Sequence, residues 1–172
     1  IPPHHPALIE MYRAYNNSDW VWAPYYSIHK QLAGLIDIAT YMDDKSIADK
    51  ALLIAKDMGL WVVTNPSSNL KLASGIAPIT EMLNKGVNIA IGTDGPASNN
   101  ALDFFREMFL VTALQKYKTK DASSCSAEEV LKMATVNGAR AMHLESIDTL
   151  QVGKVADIIV IDLNQPNMRP IY

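Results

Sequence analysis

Two short apolar segments with a helical segment between them constrain the fold more than any other feature of this sequence. Leu60 to Thr64 and Val87 to Ile91 are apolar and rich in β-branched residues, whereas Ile76 to Lys85 has a helical pattern that ends at Gly86. A strand, a helix and a strand in this order form a β-α-β unit, whose two strands lie parallel in one sheet. The sequence therefore predicts an α/β fold.

Helical patterns occupy most of the remaining chain. Ile1 to Pro24 is rich in proline and asparagine and is predicted to be loop with a short helix at Ala7 to Tyr15. The other predicted helices are Ile28 to Met42, Ser46 to Met58, Ala101 to Tyr117, Ala127 to Thr135 and Ala139 to Leu144. Ser126 and Glu129 form a capping-box pattern. Val155 to Ile161, an apolar run that ends at Asp162, is predicted to be a strand.

Composition and charge exclude several classes of protein. The 172 residues carry a formal net charge of −3, so no basic surface for nucleic acid is expected. No apolar run approaches the roughly 20 residues that a membrane span needs. The single cysteine, Cys125, excludes an internal disulfide framework and favours a cytoplasmic location. Because the chain begins at Ile1 rather than at a methionine, we expect a fragment.

An acidic residue lies directly after the second predicted strand, in Gly92-Thr93-Asp94-Gly95. In β/α folds ligands bind at the carboxyl ends of parallel strands, where side chains point into the crevice between loops. This position predicts Asp94 to be a metal ligand or a proton carrier. The alternative is an ordinary turn stabilised by the aspartate side chain.

Polar residues also follow the first predicted strand, in the loop from Asn65 to Leu72. If the strands are parallel neighbours, this loop and the Asp94 loop open on the same face. Asn65, Ser68 and Asn69 could then bind a polar heterocycle, with Ser98 of the Asp94 loop as a further candidate. A surface loop that caps the next helix is an equally good interpretation.

The histidines give no clear metal site. His4 and His5 are adjacent, so in an extended segment they would face opposite ways, and His143 is interpreted as a cation at a helix end. His29 follows an aromatic cluster, where it could bind a sugar ring or pack in the core. Cys125 has no basic neighbour in the sequence that would lower its pKa, so it is not predicted to be a nucleophile.

Four motifs in order carry a resemblance to a known family. They are NPSSNLKLASGIAP from Asn65 to Pro78, IGTDGPASNN from Ile91 to Asn100, MATVNGARAM from Met133 to Met142 and GKVADIIVIDL from Gly153 to Leu163. With these motifs, residues 63–169 resemble the C-terminal part of amidohydrolase-superfamily deaminases that act on 5′-methylthioadenosine and S-adenosylhomocysteine.

The resemblance implies the last two βα units of a zinc-dependent (β/α)8 barrel, with Val155 to Ile161 returning the chain to a small β-sandwich. It also implies hydrolytic deamination of an adenosine-type nucleoside. Asp94 would bind zinc, or another divalent metal, and would handle the proton of the attacking water.

The chain also departs from the family pattern. It contains no HxH pair, and Thr64 occupies the position where many relatives have histidine, so only one expected metal ligand is present. We therefore expect the chain alone to be inactive. An incomplete barrel would leave strand edges unpaired, which predicts self-association through that edge.

The segment before the β-α-β unit resembles a different family. Its motifs Trp22 to Lys30, Leu32 to Asp37 and Ile54 to Val62 are similar to the (α/α) toroid of β-L-arabinofuranosidase-type glycoside hydrolases. This second resemblance predicts two units, a helical segment at residues 1–62 and a barrel part at residues 63–172, with His29 as a sugar-binding residue. Two alternative functions follow, a carbohydrate-active enzyme fragment and a non-catalytic stub.

Overall fold

A computed structural model describes residues 45–168 of the chain. The predicted helices at Ala7 to Tyr15 and Ile28 to Met42, and the candidate residue His29, lie outside the described residues. The elements in chain order are α1 (Lys45–Asp57), β1 (Trp61–Thr64), α2 (Pro66–Lys71), α3 (Ile79–Asn84), β2 (Asn88–Ile91), α4 (Phe104–Thr119), α5 (Ala127–Ala134), α6 (Val136–Ala141) and a short 3-10 turn, Pro166–Met168.

The two strands form a parallel pair, as the β-α-β pattern predicts. Trp61 lies opposite Asn88 and Thr64 lies opposite Ile91, so the carboxyl ends of both strands meet at one edge. The Gly92 amide donates a hydrogen bond of 2.9 Å to the Thr64 carbonyl and extends the ladder by one step. This arrangement brings the loops after β1 and β2 side by side.

One apolar core lies under the sheet and the helices. Helix α1, which comes before the predicted boundary at residue 62, contributes Leu52 and Ala55 to it. The core residues from the rest of the chain are Ile79, Met82, Val87, Ile89, Ile91, Val111, Cys125, Val130 and Met133. The predicted boundary between residues 62 and 63 falls within β1, and both residues pair with β2.

Local sequence signals set the bounds of the helices. Helix α4 begins after Asp103, whose carboxylate accepts hydrogen bonds from the amides of Phe105 and Arg106. Helix α5 begins at the predicted capping box, in which Ser126 and Glu129 satisfy each other's backbone amides. Among residues 45–168, no helix combines the length and the apolar character that crossing a membrane requires.

Two positions predicted to be non-helical are helical in the structure. Residues 66–71, predicted as loop, form α2. Pro66 is compatible with this helix, because it lies in the first turn, where its missing amide hydrogen is not needed. Asn137 and Gly138, predicted to interrupt a helix, lie within α6, and the break falls at Thr135, whose φ and ψ are −122° and −87°.

The predicted strand at Val155 to Ile161 is wrong for this structure, which contains no strand there. Its apolar side chains are exposed, and 96% of the Val160 surface is accessible. A β-strand needs a partner to receive its backbone hydrogen bonds, and in the described part of the chain no segment pairs with this one. Apolar sequence alone is therefore not sufficient to form a strand here.

Candidate active site

Asp94 lies at the carboxyl end of β2, where it is exposed, and polar groups from both loops surround it. Its Oδ2 accepts hydrogen bonds of 2.7 Å from the hydroxyls of Ser68 and Ser98, and its Oδ1 accepts one of 2.8 Å from the Gly95 amide. The backbone at Asp94 is left-handed, with φ +59°. Such a conformation is uncommon for residues other than glycine and is often found at functional sites.

These hydrogen bonds keep Asp94 ionised. The Ser68 hydroxyl, followed by the Ser98 hydroxyl and the Gly95 amide, lowers the pKa of the Asp94 carboxyl below its ordinary value. Each of these groups donates to the carboxylate and so favours its charged form. At neutral pH, Asp94 is therefore an exposed, negatively charged carboxylate that can bind a cation.

A glycine brings the two loops into close contact. A methyl group added to Gly92 would come within 2.5 Å of Asn65 Oδ1 and 3.0 Å of Val63 Cγ1. Only a residue without a side chain fits this approach unless the neighbouring groups move. The amide of Asn65 is thus held against the residue that lies two positions before Asp94.

The predicted site residues divide into two groups. Ser68 and Ser98 contact Asp94, and Asn65 lies beside Gly92 at the same edge of the sheet. Asn69 instead lines a separate pocket near α3 and α4, together with Ile76 and Val111. The roles of these residues in substrate binding stay predictions.

Glu107 on α4 is a residue that the sequence analysis did not single out. Its side chain is fully buried, and its two oxygens accept hydrogen bonds from the Ser67 amide (2.9 Å) and from Asn99 Nδ2 (2.7 Å). It therefore contacts both loops of the site. A signal was present in the sequence, because Glu107 and Gln115 lie four residues on either side of Val111, all on one face of the helix.

The described residues do not form a zinc site. Among residues 45–168, no group of three histidine, cysteine, aspartate or glutamate side chains is placed to hold a metal ion. Zinc in proteins is held by at least three protein ligands, with a fourth position closed or open. The described part of the chain thus offers one candidate ligand, Asp94, and not a complete metal centre.

Comparison with known proteins decides the family. The model of the amidohydrolase family matches residues 28–172, which is most of the chain. The chain belongs to the amidohydrolase family. This match includes residues 28–62, which we had compared with arabinofuranosidases, and the comparisons do not support that second resemblance.

The amidohydrolase relatives include named deaminases. Over 125 residues the chain is 52% identical to the 5-methylthioadenosine/S-adenosylhomocysteine deaminase of Caldanaerobacter subterraneus subsp. tengcongensis, covering 72% of this chain and 29% of the relative. Over 126 residues it is 47% identical to the 5′-deoxyadenosine deaminase of Methanosarcina acetivorans, covering 73% and 29%. The chain thus spans about three tenths of the length of the curated relatives it matches.

A solved deaminase structure is also similar to this chain. An adenosine deaminase from Xanthomonas campestris with bound zinc superimposes with a TM-score of 0.66 at 40% identity. The superposition covers 72% of this chain and 28% of that protein. The E. coli guanine deaminase, at 22% identity and a TM-score of 0.60, shares the fold.

Proposed function

We propose that this amidohydrolase chain carries one part of the active site of a zinc-dependent deaminase that acts on an adenosine-type nucleoside. The observation that carries the proposal is the Asp94 carboxylate, which is exposed at the carboxyl edge of the parallel strands and oriented by Ser68 and Ser98. The 52% and 47% identities to deaminases of adenosine derivatives support the substrate class. In this account β1 and β2 belong to a (β/α)8 barrel.

Asp94 has the central role in the proposed reaction. As an exposed carboxylate at this edge it would accept the proton of the attacking water and pass it on toward the leaving ammonia. The Ser68 and Ser98 hydroxyls fix the orientation of its Oδ2. Asn65 and Asn69 remain our candidates for contacts with the nucleoside.

Zinc, or another divalent metal, is the cofactor we propose for the whole enzyme, in which it would activate the attacking water. Asp94 would be one of its ligands, and we propose that the other ligands are not supplied by this chain. Since the described residues lack a complete metal centre, we also propose that the chain alone is inactive. Self-association through the outer edge of β1, which among the described residues pairs with β2 alone, and a cytoplasmic location are parts of the same proposal.

A segment exchange tests this function. The part of the Caldanaerobacter relative that aligns with this chain would be replaced by the 125 aligned residues. The hybrid is expected to release ammonia from 5′-methylthioadenosine. Asp94→Asn, which removes a proton acceptor without changing the size of the side chain, is expected to lower kcat by about a thousandfold.

The matched control is Asp157→Asn, which removes an exposed aspartate remote from Asp94 in the sequence. It should leave kcat unchanged. Two results with folded hybrids would contradict the role of Asp94: an equal loss of activity in Asp94→Asn and Asp157→Asn, or no loss of activity in either variant.

A further inference from the structure

We propose that Glu107 is a positioning residue: by accepting hydrogen bonds from the loops after β1 and β2, it holds Ser68 and Asp94 within hydrogen-bonding distance of each other. The inference deepens the proposed function, because it concerns the same site. Glu107 itself touches neither Asp94 nor the exposed edge. It acts through one residue of each loop.

The first connection runs through the loop after β1. Glu107 Oε2 accepts a hydrogen bond of 2.9 Å from the Ser67 amide, at the start of α2. The next residue, Ser68, is buried and donates its hydroxyl to Asp94 Oδ2 at 2.7 Å. Fixing the Ser67 backbone therefore fixes the donor that orients the Asp94 carboxylate.

The second connection runs through the loop after β2. Glu107 Oε1 accepts a hydrogen bond of 2.7 Å from Asn99 Nδ2, which also donates to the Thr93 carbonyl at 2.9 Å. Thr93 precedes Asp94 in the chain, and Asn99 follows Ser98, the second hydroxyl donor to Asp94. The same carboxylate thus fixes the backbone on both sides of Asp94.

The chemistry of the contact requires a carboxylate. Both groups that face the Glu107 oxygens are donors, an amide N–H and a side-chain NH2. A glutamine would present one donor in place of an acceptor, so one of the two loops would lose its bond. Asn99 cannot turn over to compensate, because its Oδ1 already accepts a hydrogen bond from Arg106.

Gln115 provides an internal comparison. It lies two turns further along the same face of α4 and is also buried. Its Oε1 accepts a hydrogen bond from the Thr80 amide, and its Nε2 donates one to the Ala77 carbonyl. These contacts fix α4 to the start of α3, away from Asp94. If Glu107 served only to stabilise the packing of α4, replacing either residue would have the same consequences.

The test measures amide signals of the full chain by ¹H–¹⁵N NMR, with neither metal nor substrate present. In Glu107→Gln we expect hydrogen exchange at the Ser67 amide to accelerate about tenfold or more, since its bond is either lost or made to a neutral amide oxygen in place of a carboxylate. The chemical shift of the Gly95 amide, which donates to Asp94 Oδ1, should also change, because the Asp94 side chain moves. In the matched control Gln115→Leu, both signals should stay as they are in the unmodified chain.

A second variant covers the case in which Glu107→Gln does not fold. Asn99→Ala removes the connection from Glu107 Oε1 through Asn99 Nδ2 to the Thr93 carbonyl but leaves the Ser67 bond intact. It should therefore change the chemical shift of the Gly95 amide and leave hydrogen exchange at the Ser67 amide slow. Unchanged Gly95 signals in the folded variants, or equal shifts in Gln115→Leu, would overturn the inference. The readout does not depend on deamination, so a hybrid without activity would contradict the proposed function and leave this result standing.

Discussion

Asp94 and Asp148 are both ionised at neutral pH, but for different reasons. Asp94 is exposed, and neutral hydroxyls and an amide donate to it, so its charge remains available to a ligand. Asp148 is buried, and its carboxylate accepts bonds from Arg140 Nε at 2.8 Å and from Lys154. Its charge is neutralised within the fold, which makes Asp148 a structural residue that joins α6 to the segment after it.

The Asp148 cluster predicts a defined acid sensitivity. Hydrogen bonds from Lys154 and then from Arg140 lower the pKa of Asp148 from 3.8 to about 2. A carboxylate with a lower pKa in the folded state stabilises the fold above its unfolded pKa, and this contribution is lost as pH falls through the folded value. The free energy of unfolding should therefore decrease between about pH 4 and pH 2 in part because of Asp148.

Asp148→Asn tests this by urea unfolding at several pH values. The variant should be less stable than the original chain at neutral pH, because Arg140 and Lys154 lose their charged partner. The difference between the two should shrink as the pH falls toward 2. Asp157→Asn, which changes an exposed carboxyl, should follow the original chain throughout, and a difference for Asp148→Asn that stays constant with pH would contradict the account.

The sequence of α4 predicts that this helix is present but not which of its faces is buried. Its presence follows from a long run without glycine or proline, and the structure confirms it at residues 104–119. Its buried face, however, is not the face on which the sequence places the large apolar side chains of Phe105 and Phe109. Phe105 and Phe109 lie on the exposed side, whereas Glu107 and Gln115 are buried. Polar side chains become buried where they find hydrogen-bond partners. The Ser67 amide, which donates to Glu107, and the Thr80 amide, which donates to Gln115, are 40 and 35 residues away in the sequence.

The sequence predicted the strands of the β-α-β unit correctly, whereas the strand predicted at residues 155–161 is not observed. β1 and β2 are close in the chain and pair with each other, so local patterns sufficed to predict them. Residues 155–161 have an equally apolar sequence but no partner strand among the described residues. The position of Asp94 followed from the strand before it, whereas its contact with Ser68 depends on the pairing of the two strands.

At the scale of the whole molecule, α1 and the β-α-β unit share one core. Leu52 of α1 is only 5% exposed and packs in the same cluster as Ile89 and Val111. A strand that crosses residue 62 and a shared core predict that the described residues unfold together. This differs from the two separate units that the sequence suggested.

Leu52→Ala tests whether α1 and the β-α-β unit unfold together. The substitution leaves a cavity in the shared core and should lower the free energy of unfolding by about 3 kcal/mol. Hydrogen exchange should accelerate in β2 and α4 as well as in α1, because all three open together. The adjacent Leu53→Ala, at a position that is 47% exposed, is the control and should have little effect. Faster exchange confined to α1 would show separate units.

We propose that this chain supplies Asp94 to a deaminase site that it does not complete alone. The most direct measurement compares ammonia release by the purified 172-residue chain and by the Caldanaerobacter hybrid, with 5′-methylthioadenosine, S-adenosylhomocysteine, 5′-deoxyadenosine and guanine as substrates. We predict that the hybrid deaminates the three adenosine derivatives but not guanine, and that the chain alone shows no activity above background. Turnover by the chain alone that Asp94→Ala abolishes, or a folded hybrid without activity on any adenosine derivative, would contradict the account.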